Sequence, residues 1–321
     1  MKKALLILFT IALFTGCENE PIDSSLTVIT NPSNPTNPTN PTNPGSESSD
    51  LTLSLYELDT DISFSLFGTP IQTVTNSDIN ITNNVITSSN IELSVQGSTP
   101  VLENQTITRN GSGQVISDVS TTLSGAVTNE YFITYTSGNI TEITYNYYDQ
   151  EDPSFDENYT YNFTYSGNTI TRTKVGSSIE TLFSLNTSNK LVKKESFDNS
   201  VSILAEELTY NSDGNISNSI TTGESEGEQS YNYDALENPL KTVYDEHYLL
   251  NFLSDEYEDE IGSVIAHFHA SKNWTGVTIN GDTFNFTLNY NTVNRISSRD
   301  IAYNFEGALS FIINERFNYV N

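Results

Sequence analysis

Tyr210-Asn211-Ser212-Asp213-Gly214-Asn215-Ile216 is the stretch of sequence that decides the fold of this chain. It places an aromatic residue at the end of one strand, a polar cluster at a turn, and an aliphatic residue at the start of the next strand. Asn, Asp and Gly tolerate the positive φ angles that tight hairpin turns require. The stretch therefore predicts a β-hairpin.

Weaker copies of this pattern recur from about residue 107 to residue 296. Their turn clusters are Asn110-Gly111-Ser112-Gly113, Ser137-Gly138-Asn139, Ser166-Gly167-Asn168, Asn186-Thr187-Ser188-Asn189 and Asn291-Thr292-Val293-Asn294. Tyr135, Tyr165, Leu185, Tyr210 and Tyr233 mark successive units, at spacings of 30, 20, 25 and 23 residues. This spacing fits one two-stranded hairpin per unit, and such units bury a face only by pairing with their neighbours.

We therefore predict an all-β fold, a long curved antiparallel sheet of successive β-hairpin repeats over residues 101–321. Residues 51–100 form an N-terminal β segment, because stretches such as Ile91-Glu92-Leu93-Ser94-Val95 alternate apolar and polar residues as half-buried strands do. This segment is either a domain of its own or the first strands of the same sheet.

Aromatic residues alternate along several of the predicted strands. Examples are Tyr159, Tyr161, Phe163 and Tyr165, and later Phe284, Phe286, Leu288 and Tyr290. Residues two apart on a strand share a face, so these residues form stripes along the sheet. A stripe is either a stacking platform for sugar rings or part of the core, and cross-strand packing favours the core.

The stretch from Tyr244 to Lys272 breaks the repeat pattern, and we predict a short helical or irregular insertion near residues 246–270. Ile261, Val264, Ile265 and Phe268 recur there at helical spacing. The stretch also holds all three histidines of the chain and an acidic run from Asp255 to Glu260. The candidate binding residues are His247, His267, His269 and Trp274. Imidazole and carboxylate groups can ligate metals, but a solvated acidic loop beside ordinary histidines is the favoured interpretation, and no metal site is predicted.

Residues 1–16 are predicted to be a lipoprotein signal peptide. Two lysines precede an apolar run, and Gly16 precedes Cys17. Phe14-Thr15-Gly16-Cys17 resembles a bacterial lipobox, in which the cysteine is lipidated and becomes the mature N-terminus; an ordinary secretory signal is the alternative. Cys17 is the only cysteine, so its lipidation leaves the folded part without disulfides or thiol nucleophiles.

Residues 17–50 are predicted to be a flexible linker rich in Asn, Pro and Thr. Its Asn-Pro-Thr repeats from Asn31 to Pro44 favour an extended polyproline-II conformation, roughly 40 Å long. Glu18 and Glu20 resemble the export signal that takes Bacteroidetes-type lipoproteins to the outer face of the outer membrane. The expected partner is therefore the membrane, through lipid on Cys17, with the folded part at the cell surface.

Charge and motif content exclude several functions. The chain has 41 acidic and 13 basic residues and a formal net charge of −28, and no nucleic-acid partner is expected because such binding depends on Lys and Arg contacts to phosphate. Neither a phosphate-binding loop nor a dinucleotide fingerprint is present, so no cofactor is expected. Gly223-Glu224-Ser225-Glu226-Gly227 matches the sequence pattern of a serine-hydrolase elbow. Asp245 and His267 follow it in the chain order of the other two triad residues. Its polar flanks do not fit the strand and helix of an elbow, and no catalytic residue is predicted.

Tyr210–Ile216 and Tyr231-Asn232-Tyr233-Asp234-Ala235-Leu236-Glu237-Asn238-Pro239-Leu240 resemble YD (RHS-like) repeats. The ordered series of turns, followed by Phe286-Thr287-Leu288-Asn289-Tyr290, is similar to a group of Bacteroidetes-type surface lipoproteins. Asn211 stands where the tightest YD pattern has Asp, and the Leu185 unit lacks the Tyr. The resemblance implies a curved sheet of hairpins and no enzymatic activity, and it transfers no catalytic residues.

The leading functional prediction is a non-enzymatic outer-membrane lipoprotein that presents a repeat β-sheet for binding or for envelope structure. Its partner is a glycan or another envelope protein. One alternative is a glycan-binding or glycan-processing accessory protein of a polysaccharide-uptake system, which the aromatic stripes motivate. A hydrolase that uses residues 244–272 is the other alternative.

Overall fold

The structure is a computed structural model, and it describes residues 51–66, 69–305 and 309–320. The predicted signal peptide, Cys17 and the linker lie outside the described residues.

Nineteen strands make up most of the described chain. They are β1 (Thr52–Leu66), β2 (Thr69–Thr82), β3 (Val85–Val95), β4 (Val101–Arg109), β5 (Val115–Thr122), β6 (Val127–Thr136), β7 (Asn139–Tyr147), β8 (Glu157–Ser166), β9 (Thr169–Lys174), β10 (Ile179–Leu185), β11 (Leu191–Asp198), β12 (Val201–Tyr210), β13 (Ile216–Gly223), β14 (Gly227–Glu237), β15 (Lys272–Ile279), β16 (Asp282–Asn285), β17 (Thr287–Tyr290), β18 (Ile296–Phe305) and β19 (Leu309–Val320).

The strands form an antiparallel meander that returns to its start. Each strand pairs with the next one along the chain, except that β16 and β17 are two pieces of one run, which pair with β15 and β18 respectively. β19 then pairs with β1, from Thr52 opposite Val320 to Phe64 opposite Leu309. The all-β prediction is confirmed, and the curvature continues until the sheet is a nearly closed barrel. Strands β1 to β3 belong to this same sheet.

The two faces of the barrel wall differ in polarity. On β1, Tyr56 and Ile62 are buried, whereas Glu57, Asp59 and Asp61 alternate with them on the outside. The outward residues of β8 and β9 are all Asn, Thr or Ser: Asn158, Thr160, Asn162, Thr164, Ser166, Thr169, Thr171 and Thr173. The predicted aromatic stripes lie on the other face, where Tyr161 and Phe163 are buried in the core. The period-two pattern of the sequence therefore separates a polar outside from an apolar inside.

Four turns at one end of the barrel share one geometry, and the Tyr210–Ile216 stretch contains one of them. Asn211 Oδ1 accepts hydrogen bonds from the amides of Asp213 and Asn215, both at 3.0 Å, and Gly214 has a φ of +76°. The turns that begin at Asn110, Asn186 and Asn291 repeat both bonds, with Gly113, Asn189 and Asn294 at the positive φ. Asn is thus selected at the first position as an acceptor, and Gly or Asn at the fourth for its tolerance of positive φ.

Tyrosines near the ends of three strands, one of them before such a turn, connect one hairpin to the previous one. Tyr210 donates its hydroxyl hydrogen to the carbonyl oxygen of Leu191 at 2.6 Å, and Leu191 begins the strand after the preceding turn. Tyr165 makes the equivalent bond to Ile140, and Tyr319 to Ile296, both at 2.9 Å. At Tyr210 and Tyr165 the aromatic-before, aliphatic-after signature therefore reflects a bond between successive hairpins.

We name the two ends of the barrel by their composition. The repeat end carries these turns together with those at residues 83–84, 137–138 and 167–168. The acidic end carries the connections at residues 96–100, 123–126, 148–156, 175–178, 199–200, 224–226 and 280–281. A 3₁₀ turn, Pro153–Phe155, lies in the third of these. Since β1 begins at Thr52, the chain enters the barrel at the repeat end.

Residues 238–271, which we call the plug, interrupt the meander between β14 and β15 at the repeat end. They contain α1 (Pro239–Tyr244), a 3₁₀ turn (Asp245–His247), α2 (Leu250–Leu253), α3 (Gly262–Val264) and a π-helical turn (Ile265–His269). Leu240, Val243, Phe252, Leu253 and Ile261 are fully buried in the core that the barrel encloses. The predicted helical insertion is confirmed. Among the described residues, no helix is long and apolar enough to cross a membrane.

The plug begins eight residues before position 246, where the insertion was predicted to start. Asn238 caps α1, with its Oδ1 accepting a 3.1 Å hydrogen bond from the Leu240 amide, and Pro239 occupies the first turn. Asn at the N-cap and Pro at the first helical position are a helix-start signal. In the sequence this signal was masked, because Tyr231–Leu240 also resembles a YD-type repeat.

Candidate functional site: the plug, the barrel wall and an adjoining cleft

The helical turns of the plug are short, so many of its backbone groups have no partner within a helix. Charged side chains of the barrel wall supply the missing partners. Arg172 on β9 donates to the carbonyl oxygen of Leu253 at 3.1 Å and also to that of Asp255. Its guanidinium lies 4.4 Å from the centre of the Tyr161 ring, and Arg172 is only 2% exposed. The buried guanidinium of Arg172 therefore finds its hydrogen-bond acceptors in the plug backbone, which it holds in place.

Lys194 on β11 makes similar contacts one step further along the plug. Its Nζ donates to the carbonyl oxygens of Glu256 at 2.8 Å and Asp259 at 2.5 Å. Burial lowers the pKa of Lys194, and Arg172 adds to that effect, while nearby carboxylates oppose it. Arg172 and Lys194 thus hold residues 253–260, which we call the bend of the plug.

Glu206 on β12 holds the part of the plug that follows the bend, and it does so as an acceptor of backbone amide hydrogens rather than as a donor. Its carboxylate accepts hydrogen bonds from the amides of Ile261 at 2.6 Å and Gly262 at 2.9 Å. A Cβ on Gly262 would lie 2.8 Å from both Glu206 Oε1 and Ser219 Oγ, closer than real Cβ atoms come. Glycine is therefore needed here for close approach between the plug and the wall.

Carboxyl groups of the acidic run lie inside this bend. Glu260, 6% exposed, accepts hydrogen bonds from Thr221 at 2.9 Å and Gln229 at 2.5 Å. Burial and the nearby Glu206 raise the pKa of Glu260 to about 8, and burial with the neighbouring Asp259 raises the pKa of Asp255 to about 7. The acidic run was predicted as a solvated loop, and this part of the prediction is wrong, because the plug carries Asp259 and Glu260 into the barrel.

His267 belongs to a buried polar group between the plug and strands β1, β18 and β19. Its Nε2 lies 2.7 Å from Glu315 Oε1, which also accepts from Tyr56 at 2.5 Å and from Arg299 at 2.7 Å. Burial alone would raise the pKa of Glu315, but Arg299 and His267 hold it far below its usual range. Burial lowers the pKa of His267 despite Glu315. We therefore assign a neutral imidazole whose Nε2–H donates to a carboxylate that Arg299 neutralises.

His269 pairs with a different acid. Its Nδ1 lies 3.0 Å from Asp245 Oδ1, and its Nε2 lies 3.2 Å from Asn251 Nδ2. Burial lowers the pKa of His269. For Asp245 burial alone would raise the pKa, but the hydrogen bonds from His269 and Lys241 outweigh it and lower the value. A neutral His269 therefore donates to Asp245 and accepts from the Asn251 amide.

His247 and Trp274 are the other two candidate binding residues. His247 Nε2 lies 3.0 Å from Arg109 Nη2 at the repeat end, and burial lowers the pKa of this histidine. Trp274 is 2% exposed and packs its ring edge-to-face on Phe286. The structure thus brings His267 and Trp274 together, with ring centroids 5.7 Å apart, whereas His247 and His269 each have other neighbours. A binding role for the four residues stays a prediction.

The predicted chemistry of this region can be compared with its geometry. Within the described part of the chain, no group of three or more His, Cys, Asp or Glu side chains is placed to hold a metal ion. Asp245 is hydrogen-bonded to His269, whereas His267 is bonded to Glu315. The acid and base that follow the elbow-like Gly223–Gly227 stretch in the sequence are therefore engaged with other partners.

A cleft of about 240 Å³ opens beside the plug at the acidic end. The β9–β10 hairpin forms one side and the plug the other. Lys174 lies across it, with its Nζ 3.2 Å from Glu256 Oε1 and 4.4 Å from the centre of the Tyr159 ring. The lining residues are Tyr161, Arg172, Lys174, Val175, Gly176, Ser177, Ile179, Thr181, Glu256 and Tyr257.

Sequence reasoning missed the wall residues that hold the plug, although a signal for them exists. Glu315 alternates with Phe311, Ile313 and Phe317, so it lies in the apolar phase of its strand. Arg299 stands in the same relation to Ile301. A charged residue at an inward position is costly unless it has a partner, so each such residue indicates a polar structure inside the barrel.

Comparison with known proteins gave matches at the level of structure only. No family model matches this chain, and neither does any curated protein. A porin-like protein from Bacteroides uniformis superposes with a TM-score of 0.44 and 12% identity, covering 84% of this chain and 98% of that one. A porin-like protein from Bacteroides vulgatus gives 0.30 and 13%, covering 74% and 98%. Such values give no basis for assigning a function, and the YD-type repeats and the lipobox remain predictions.

Proposed function

We propose that this protein is a lipid-tethered outer-membrane protein whose barrel stands in water and serves binding or envelope structure without enzymatic activity. The observation that carries the proposal is the polarity of the wall, which is polar outside and apolar inside. A barrel that spans a membrane carries an apolar band about 25 Å tall on its outer face. Here Asn, Thr, Asp and Glu predominate on that face, and its exposed apolar residues Phe132, Ile220 and Ile312 lie on three separate strands and form no band. Burying the polar groups without partners in hydrocarbon would be costly.

The interior supports the same proposal. The plug occupies the space that the wall encloses, and buried wall charges on four strands hold it: Arg172, Lys194, Glu206 and Glu315. Glu315 does so through the side chain of His267 rather than through the backbone. A filled barrel of this kind offers its ends and its outer wall, rather than a lumen, to other molecules.

The tether is tested on the full chain with radiolabelled palmitate. The native protein is expected to incorporate label and to enter the detergent phase on Triton X-114 partition, and Cys17→Ala is expected to do neither. Protease added to intact cells is expected to degrade the folded part if it is at the surface. A Cys17→Ala protein that still partitions with membranes would contradict the tether.

The water-standing barrel is tested separately in planar bilayers. Purified protein is expected to give no conductance steps, because its outer wall is polar. Reproducible single-channel steps from the native chain would overturn this part of the proposal. The glycan-binding alternative receives no support from the aromatic stripes, since those residues pack in the core.

A further inference from the structure

The acidic end exposes apolar side chains at its hairpin tips. Phe155, Val175 and Val201 are 54%, 64% and 65% exposed, and they lie on three tips that follow one another around the barrel. The tips at Val101 and Leu123 continue this row at 40% and 67%. Exposed apolar residues gathered at one place, rather than scattered, are typical of interaction sites.

The cleft lies within this row of tips. Val175 belongs to both, and the plug contributes Tyr257 to the opposite side of the cleft. Its volume of about 240 Å³ is small for a drug-sized ligand, and it is suited to one side chain. Protein interfaces commonly place an aromatic or aliphatic anchor in such a pocket.

The charge of this end is one-sided. Ten carboxylates lie on or beside the tips: Asp149, Glu151, Asp152, Asp156, Glu157, Asp198, Glu224, Glu226, Glu256 and Glu258. Lys174 supplies the one ammonium group at the surface among the described residues of these tips and of the plug bend. It pairs with Glu256 at 3.2 Å. A partner with basic residues around an apolar anchor would match this surface in charge and in shape.

The point at which the chain enters the barrel also bears on access to the acidic end. Fifty residues precede Leu51, and the chain enters the barrel at the repeat end. A tether at that point leaves the acidic end on the far side of the barrel, where another protein can approach it.

We propose that the acidic end of the barrel binds a basic segment of another polypeptide, with an apolar or aromatic side chain of that segment in the cleft. This inference rests on the binding role in the proposed function, and the lipid tether bears only on how accessible the acidic end is on the cell. Attraction between opposite charges speeds encounter and depends on salt. The cleft and the tips supply the short-range contacts.

The experiment measures fluorescence anisotropy of dye-labelled peptides with the full-length protein in non-ionic detergent. Lys-Lys-Trp-Lys-Lys is expected to bind. Lys-Lys-Gly-Lys-Lys is expected to bind at least about tenfold more weakly because it lacks the anchor. Glu-Glu-Trp-Glu-Glu is expected not to bind, and raising the salt from low to physiological concentration is expected to weaken the first peptide severalfold.

Matched variants locate the site. Val175→Ser with Val201→Ser is expected to weaken binding about tenfold, whereas Ile312→Ser, an exposed apolar residue on the wall at 36%, leaves it unchanged. Glu224→Gln with Glu226→Gln is expected to reduce binding and its salt dependence, and Glu92→Gln with Glu142→Gln on the wall is the charge control. Circular dichroism and melting confirm that each variant is folded.

Three results would overturn the proposal. The first is equal binding of the acidic and basic peptides, and the second is equal effects of the tip and wall variants. The third is binding of a neutral oligosaccharide, but of neither peptide, at the cleft. Because the assay uses no membrane, failure of the tether in palmitate labelling leaves its outcome unaffected.

Discussion

The two ends of the barrel are built by different rules. At the repeat end, four turns repeat one set of hydrogen bonds, and charges of both signs form pairs such as Arg295 with Glu237 at 3.0 Å. At the acidic end, the connections vary from the two residues 199–200 to the nine residues 148–156, and the exposed charge is nearly all negative. The repeat end fixes how one hairpin follows another, whereas the acidic end is free to vary, as functional loops on a rigid scaffold are.

The plug connects these two ends. It starts at the repeat end, where Asn238 accepts from the Leu240 amide and Asn215 accepts from the amide of Ser271, the last plug residue. It bends near the acidic end, where wall charges hold it. Neutral caps therefore hold the first and last residues of the plug, and buried wall charges hold its bend. The difference predicts that substitutions at the bend cost more stability than substitutions in the turns.

Arg172→Met is expected to have the largest effect. It leaves the carbonyl oxygens of Leu253 and Asp255 without their donor inside the barrel, at a cost of about 3 kcal/mol in the free energy of unfolding. Arg316→Met is the control, since Arg316 pairs with Asp300 on the outer wall with 44% of its side chain exposed, and about 0–1 kcal/mol is expected there. Urea titration measures both. Equal losses would remove the distinction between buried and exposed charge.

Glu260→Gln is expected to change how stability depends on pH. The folded state holds the Glu260 proton up to about pH 8, whereas an unfolded glutamate loses its proton near its ordinary pKa. The folded state therefore binds more protons in between, and this contribution to stability is lost as pH rises through about 8. Between about pH 6 and pH 9 the variant is expected to gain about 2–3 kcal/mol relative to the native protein.

Thermal or urea unfolding at several pH values checks this shift. Glu142→Gln on the exposed wall is the matched control for loss of a carboxylate. A Glu260→Gln curve parallel to the native one would mean that Glu260 is ionised in the fold at neutral pH.

Asn211→Ala tests the repeat end. The substitution removes the acceptor of two amide hydrogen bonds at 3.0 Å, and about 1–2 kcal/mol of stability is expected to be lost. Ser212→Ala in the same exposed turn is the control, with an expected change within about 0.5 kcal/mol. A loss from Asn211→Ala larger than that from Arg172→Met would reverse the ranking of the two ends.

Tyr210→Phe is expected to have the smallest effect. It deletes only the hydroxyl that donates to Leu191, at about 1 kcal/mol. Tyr148→Phe at the acidic end removes an exposed hydroxyl that donates to Glu130 at 2.9 Å, and a smaller loss is expected there. Differential scanning calorimetry can rank the two variants, and the same loss from both would argue against a special role for the tyrosine between hairpins.

Much of the fold could be predicted because its rules are local. Alternating apolar and polar residues predict strand β1, and the residues from Asn211 to Gly214 predict a turn. The structure confirms both. Closure could not be predicted, because it depends on the pairing of Thr52 with Val320 across the whole chain, and no local signal specifies such a pair.

The candidate site was predicted less well than the fold. The break in the pattern at the plug pointed to the right stretch, but the sequence does not state whether an insertion lies over a sheet or inside it. Charged residues at inward positions, Arg299 and Glu315 above all, carry that information once the strands are phased. The cleft at the acidic end depends on a hairpin and a plug that are distant in sequence, so neither stretch alone indicates it.

Strand β1 has a mechanical consequence for a protein held by the predicted tether. It is paired along its length with β2 on one side and with β19 on the other, and the chain enters it at the repeat end. Hydrogen bonds of an antiparallel ladder run perpendicular to the strands. A pull on the chain ahead of Leu51 therefore acts along β1 and loads both ladders together in shear, instead of opening the bonds one after another. The strand nearest the predicted tether is thus held so that tension must break many bonds at once before the barrel yields.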